Sequence, residues 1–158
     1  MASKETREGG APPSGAGTFS GDIAPSDAWA LLESDQRAVL VDVRTDAEWR
    51  FVGVPDLSSL GKEPLLVEWQ TYPGGSQNPG FISQLKSALA ESGAASSVPV
   101  IFICRSGGRS TAAARAAAAE GLGPTLNLAG GFEGDCDDDH HRGTVGGWKA
   151  AGLPWVQS

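Results

Sequence analysis

Cys104-Arg105-Ser106-Gly107-Gly108-Arg109-Ser110 has the residue types and spacing of a reactive centre. A cysteine supplies a nucleophile once it is a thiolate. Gly107 and Gly108 let the backbone curl tightly, so the amides from Arg105 to Arg109 can turn inward as a nest. A helix starting just after the loop would add its positive end. Such a cup holds an oxyanion and stabilises negative charge on the sulfur at its rim, and Arg105 and Arg109 reinforce both effects. The plainer reading, a small buried cysteine closing a strand, leaves the arginines and the paired glycines without a purpose.

A second cluster runs from Glu133 to His141 and holds Asp135, Cys136, Asp137, Asp138, Asp139, His140 and His141. Its donors suit zinc or a harder cation in type, but they occupy nearly consecutive positions and a chain must curl sharply to converge them. The expectation is a solvated loop near the site and no metal. Cys136 is a second thiol that could exchange with Cys104 if the fold brought the two sulfurs together. A structural disulfide is not expected in a chain of this length.

The elements that must position Cys104 are legible in outline. Val98-Pro99-Val100-Ile101-Phe102-Ile103 is the strongest strand signal and runs straight into Cys104, with Pro99 near its start, where a missing donor is tolerated. Ser110 to Glu120 is an alanine-rich helix stopped by Gly121, with a small-residue surface that allows close approach to a sheet. Ala38 to Arg44 is a buried-type strand that turns polar at Asp42 and Arg44, as a parallel strand does on reaching a ligand-facing edge. Thr45 to Phe51 follows as a short helix, in which Thr45 and Glu48 form a capping-box pair.

Further helices are expected over Ala24–Glu33 and from Phe81 to near Gly93, and further strands over Leu65–Trp69 and Thr125–Leu128, where Gly130-Gly131 then breaks the chain. Trp148 and Trp155 read as residues that close the core. The alternation predicts an α/β domain with a mainly parallel central sheet. Residues 1–21, rich in glycine and proline, read as a flexible leader, and 22–158 as a single domain.

Composition excludes several classes of function. The chain has 158 residues, 40% hydrophobic and 20% charged, which suits one globular domain. Its net charge of -7 repels nucleic acid and anionic membranes. It contains no run near the roughly 20 apolar residues that span a bilayer. A cytoplasmic protein is expected.

Taken in order, Asp42-Val43-Arg44, Glu48-Trp49, the loop from Cys104 to Ser110, and Leu128-Ala129-Gly130-Gly131-Phe132 resemble the rhodanese-like, or sulfurtransferase, family over roughly residues 22 to 156. The resemblance implies a five-stranded parallel sheet flanked by helices, with the nucleophile after the fourth strand. It implies that Cys104 takes a sulfane sulfur from thiosulfate or a related anionic donor, holds it as a persulfide, and yields it to cyanide, a thiol or a protein acceptor, with no cofactor. Arg105, Ser106, Gly107, Gly108 and Arg109 would form the anion cradle, and Asp42, Arg44, Glu48 and Ser110 would support it. Arg109 would either pair with an acid such as Glu48 or touch the substrate.

The sequence departs from the family pattern at Gly53-Val54-Pro55, where a glycine-histidine pair is common, and in the long Glu68–Phe81 connection. Trp69, Tyr72 and Phe81 of that connection are candidates for a pocket wall. A noncatalytic interaction domain is one competing function. The other is a cysteine-dependent phosphatase or arsenate-processing enzyme, whose cysteine and arginine are spaced one residue wider than the four residues between Cys104 and Arg109.

Overall fold

A computed structural model describes residues 17–94 and 97–157. The chain runs through β1 (Phe19–Ile23), α1 (Pro25–Ser34), β2 (Val39–Asp42), α2 (Asp46–Phe51), β3 (Val54–Pro55), β4 (Leu65–Leu66), α3 (Phe81–Glu91), β5 (Val100–Ile103), α4 (Gly108–Ala119), β6 (Thr125–Leu128), α5 (Gly147–Ala150) and β7 (Trp155–Val156). Five strands form one parallel sheet in the order β1-β6-β5-β2-β4. This is the fold class expected from sequence, and Cys104 follows the fourth of its strands in chain order.

The period of two along β5 divides the core. Val100 and Phe102 pack with Phe81, Leu85, Leu89, Ala113, Ala114 and Ala117 under α3 and α4. Ile101 and Ile103 pack on the other face with Ala28, Leu32, Leu40, Phe132 and Trp148 under α1 and α5. Burying each such side chain contributes about 1.5–3 kcal/mol, so a strand covered on both faces is the firmest platform the chain has. Cys104 continues the parity of Val100 and Phe102, and its side chain therefore belongs to the α4 face.

Several elements differ from expectation. The first strand begins at Phe19, inside the segment read as leader, because its backbone pairs with β6; residues 1–16 of that segment lie outside the described residues. The helix after the cysteine loop starts at Gly108, two residues early, since the turn at Gly107 already directs the chain into it. Only Leu65–Leu66 of the predicted 65–69 strand is regular, although Val67 and Trp69 continue to donate to Asp42 and Val43. Trp148 is fully buried and stacks edge-on with Trp29, whereas Trp155 stays 40% exposed in a small antiparallel ribbon of β3 and β7.

Candidate active site at the Cys104 loop

At the C-terminal end of β5 the chain leaves the sheet and turns through Gly107, whose φ of +124° is open to glycine and strained for other residues. The turn brings the Gly107 N–H to 3.1 Å from Cys104 Sγ. The helix α4 that follows has no side-chain cap. Among the described residues, the amides of Arg105, Ser106, Gly108, Arg109 and Ser110 donate to no protein acceptor, so the loop and this end of α4 present a set of open donors. Cys104 itself is 1% exposed. Ser110 Oγ also lies 3.2 Å from its sulfur.

The loop is clamped from behind by the chain after β6. Phe132 N–H donates to the Cys104 carbonyl at 2.7 Å, and Glu133 and Gly134 N–H both donate to the Arg105 carbonyl. Such an approach is possible only because residue 131 is glycine: a Cβ there would lie 2.5 Å from the Cys104 carbonyl oxygen, and its φ is +65°.

From the front, α2 supplies a second clamp. Thr45 caps this helix, accepting from Glu48 N–H at 3.3 Å while its own N–H donates to Glu48 Oε1 at 3.1 Å. The capping box fixes the Glu48 carboxylate, which meets Arg109 in a two-pronged pair of 2.7 and 3.0 Å. Burial pushes the Glu48 carboxyl up, but hydrogen bonding and charge from Arg109 outweigh it and hold the group below its usual range. The same pairing holds Arg109 above its ordinary value.

Asp42 and Arg44 lie beneath, both fully buried, with Nη2 to Oδ2 at 2.6 Å and Nε to Oδ1 at 3.0 Å. Arg44 also donates to the Gly53 carbonyl at 2.7 Å and lies 4.2 Å over the Phe132 ring. This pair therefore ties the end of β2 to the Gly53 turn and to the segment that clamps the cysteine loop.

Above the loop opens a cavity of about 880 Å³. Glu48, Arg105, Arg109, Tyr72, Cys136 and Arg142 are among its lining residues. A second cavity, about 700 Å³, sits at the opposite, N-terminal end of the strands around Lys62, whose ammonium donates to the carbonyls of Asp35 and Ala38.

The profile of a family described as the STR4 middle domain matches residues 21–158. A relative from Rickettsia rickettsii, the RP600 homolog, is 34% identical over 134 residues, covering 85% of this chain and 95% of that protein. The crystal structure of Rv0390 from M. tuberculosis superposes with a TM-score of 0.80 at 50% identity, covering 89% of this chain and all (100%) of that one. The rhodanese-like domain-containing protein 4, chloroplastic, of Arabidopsis thaliana is 26% identical over 131 residues, covering 83% of this chain but 24% of that longer protein. This chain belongs to the rhodanese-like family.

The rhodanese-like domain brings together most of the residues singled out from sequence. Arg105, Arg109 and Glu48 share one cavity beside the loop, whose lining does not include the buried Cys104, and Ser110 touches the sulfur. Of the three candidates for a pocket wall, Tyr72 faces the cavity and is 70% exposed. Trp69 and Phe81 do not: their rings stack edge-on at 5.0 Å, and Phe81 is buried beneath α3 because its spacing with Leu85 and Leu89 places it on the inner face of that helix.

The Glu133–His141 loop forms another part of the cavity wall. Asp137 organises it by accepting from the Asp139 and His141 amides at 2.9 Å each and from the Thr144 hydroxyl at 2.7 Å. These bonds hold the Asp137 carboxyl below its usual range. Cys136 is exposed and unpaired, and it lines the same cavity as His140 and His141. Among the described residues, no group of three or more His, Cys, Asp and Glu is placed to hold a metal ion.

Three residues near the site went unnoticed in the sequence: Arg142, Asn127 and Asp22. Arg142 faces the cavity and donates to the Gly134 carbonyl at 2.6 Å. Asn127 lies within hydrogen-bonding reach of Ser110, and its Nδ2 donates to Asp22 at 3.0 Å. The available signal was a polar residue in the otherwise buried strand Thr125–Leu128.

Proposed function

We propose that this rhodanese-like domain is a sulfurtransferase that works through Cys104. The observation that carries the proposal is the sulfur's place in its loop: one amide, from Gly107, lies on it at 3.1 Å, and the neighbouring amides are open. In the first step the Cys104 thiolate attacks the outer sulfur of thiosulfate or a related anionic donor. The S–S bond of the donor breaks, sulfite or its counterpart leaves with the bonding electron pair, and Cys104 carries a persulfide. In the second step cyanide, a small thiol or a protein thiol attacks the terminal sulfur, and Cys104 returns as a thiolate.

Each residue has a part that follows from its surroundings. The loop from Arg105 to Arg109, with Ser106, Gly107 and Gly108 at its centre, receives the anionic donor and the charged terminal sulfur through its amides. Arg105 is exposed at the cavity and free to draw the anion in. Arg109 is committed to Glu48 and holds the cradle in shape. Asp42 and Arg44 support it from below. The chemistry calls for no cofactor.

The spacing of four residues between Cys104 and Arg109 favours sulfur over phosphoryl transfer, which uses a wider cup. Glu48, the acid nearest this arginine, is engaged in the ion pair and so is poorly suited to protonate a leaving group. The net charge of -7 supports the reading of a cytoplasmic domain without nucleic-acid or anionic-membrane partners.

The test is thiocyanate formation from thiosulfate and cyanide. Replacing Cys104→Ser should lower turnover at least about a thousandfold while the domain stays folded. A folded serine variant with undiminished turnover refutes the mechanism.

A further inference from the structure

The hydroxyl of Ser110 has one proton and three acceptors within reach: Asn127 Oδ1, the Gly107 carbonyl at 3.2 Å and Cys104 Sγ at 3.2 Å. The Gly107 carbonyl already accepts from Thr111 N–H at 3.1 Å and from the Thr111 hydroxyl at 2.8 Å. Asn127 Oδ1 is by far the closest of the three. Its identity as oxygen is set from the far side, where the Asn127 Nδ2 donates to Asp22 Oδ1 at 3.0 Å. Turning the amide over would put two oxygens face to face and lose that bond.

Asp22 and Asn127 are direct partners in the register of β1 and β6, so the orientation is built into the sheet. Asn127 is 4% exposed, which makes an unsatisfied carbonyl there costly. The Ser110 proton therefore points to Asn127, and a lone pair of Ser110 points at Cys104. In that arrangement the thiol proton of Cys104 has Ser110 as its acceptor. A thiolate would face a lone pair unless the serine swung its proton away from Asn127.

We infer that Asn127, aimed by Asp22, is a positioning residue that holds the Ser110 proton away from Cys104 and thereby lowers the reactivity of its sulfur in the resting domain. This rests on Cys104 being the nucleophile of the proposed sulfur transfer. The restraint acts on Sγ itself. A persulfide carries its charge on the outer sulfur, one bond removed from the atom that Ser110 faces, so the network bears on the resting sulfur more than on the loaded form.

The test is the rate of Cys104 alkylation by iodoacetamide at one fixed neutral pH, read by peptide mass mapping so that Cys136 is counted apart. Asn127→Leu frees the Ser110 hydroxyl to donate to sulfur and should raise the rate about tenfold. Asn127→Asp combined with Asp22→Asn keeps an oxygen acceptor for the serine with a donor behind it, and should hold the rate at or below that of the native domain. A role confined to packing would loosen the loop and raise both. In a Ser110→Ala background the gain from Asn127→Leu should vanish, because the proton it redirects is gone.

If Asn127→Leu does not fold, Asp22→Ala at the exposed end of the chain frees the amide to turn over and should raise the rate in the same direction. Asp22→Asn, which keeps an oxygen acceptor, should restore the slow rate. An unchanged or lowered rate in Asn127→Leu, or a gain that persists without Ser110, overturns the inference. In Asp22→Ala an unchanged rate overturns it equally. If those results came with intact sulfur uptake on Cys104, the sulfurtransferase reading would stand without it. If the alkylation pattern held and the native domain took up no sulfur, the reverse would follow.

Discussion

The two sides of the cavity beside the Cys104 loop are built in opposite ways. The cradle side is held by contacts between residues far apart in the chain: Glu48 meets Arg109 across 61 positions, and the segment after β6 bonds back to the carbonyls of Cys104 and Arg105. The facing side is made of loops held by their own local bonds, with Thr71 N–H on the Ser76 carbonyl and the Gly75 amide on the Thr71 carbonyl, and with Asp137 gathering the amides two and four residues ahead of it. Side chains on those loops, such as Tyr72 and Cys136, are exposed. The proposed chemistry thus sits on a wall that the whole fold determines, and faces a wall that local sequence can alter without cost to the core.

That contrast can be broken most severely at Gly131. Gly131→Ala places a Cβ against the Cys104 and Arg105 carbonyls at a positive φ, where neither backbone can give way. It should cost about 3 kcal/mol or more of stability and most of the proposed sulfurtransferase activity, checked by chemical denaturation and thiocyanate assay.

Glu48→Gln is the next largest change. It breaks a charged, half-buried pair and leaves Arg109 under-partnered, and should cost about 1.5–3 kcal/mol. The same pair makes a pH prediction. The Glu48 carboxyl is held below its unfolded value near 4.5, so its contribution to stability is present above that pH and is lost as pH falls through the depressed folded value. Denaturation of the native domain between about pH 5 and pH 3 should show a loss that Glu48→Gln lacks.

The smallest effect on folding is expected on the facing wall. Tyr72→Ala removes an exposed ring and should change stability by less than about 0.5 kcal/mol. Any effect on turnover should appear in KM for the larger thiol acceptor and leave kcat with thiosulfate and cyanide in place. A loss of stability comparable to that of Glu48→Gln would erase the distinction between the two walls.

The legible part of the molecule was the local part. Thr45 and Glu48 stand three positions apart and announce a capping box, and the run from Val98 to Ile103 announces a buried strand. The cup itself could be read because a cysteine, two glycines and two arginines lie within six positions of chain. The partner of Arg109 could be suggested only through family resemblance, since nothing in the spacing of residues 61 apart forces them to meet. Asn127 and Asp22 were invisible for the same reason: they meet through the register of β1 and β6, 105 positions apart in sequence. Trp148 and Trp155 look alike in sequence, yet α5 turns one into the core and β7 leaves the other half outside.

The most direct test of the central claim is the intact mass of the reduced protein after brief exposure to thiosulfate, with Cys104→Ser alongside and a reductant chase afterwards. A gain of one sulfur atom that appears in the native chain, is absent from the serine variant and is removed by reductant is the predicted result. A folded, reduced native chain that gains nothing, or a serine variant that gains the same mass, would contradict the assignment of Cys104 as the sulfur acceptor.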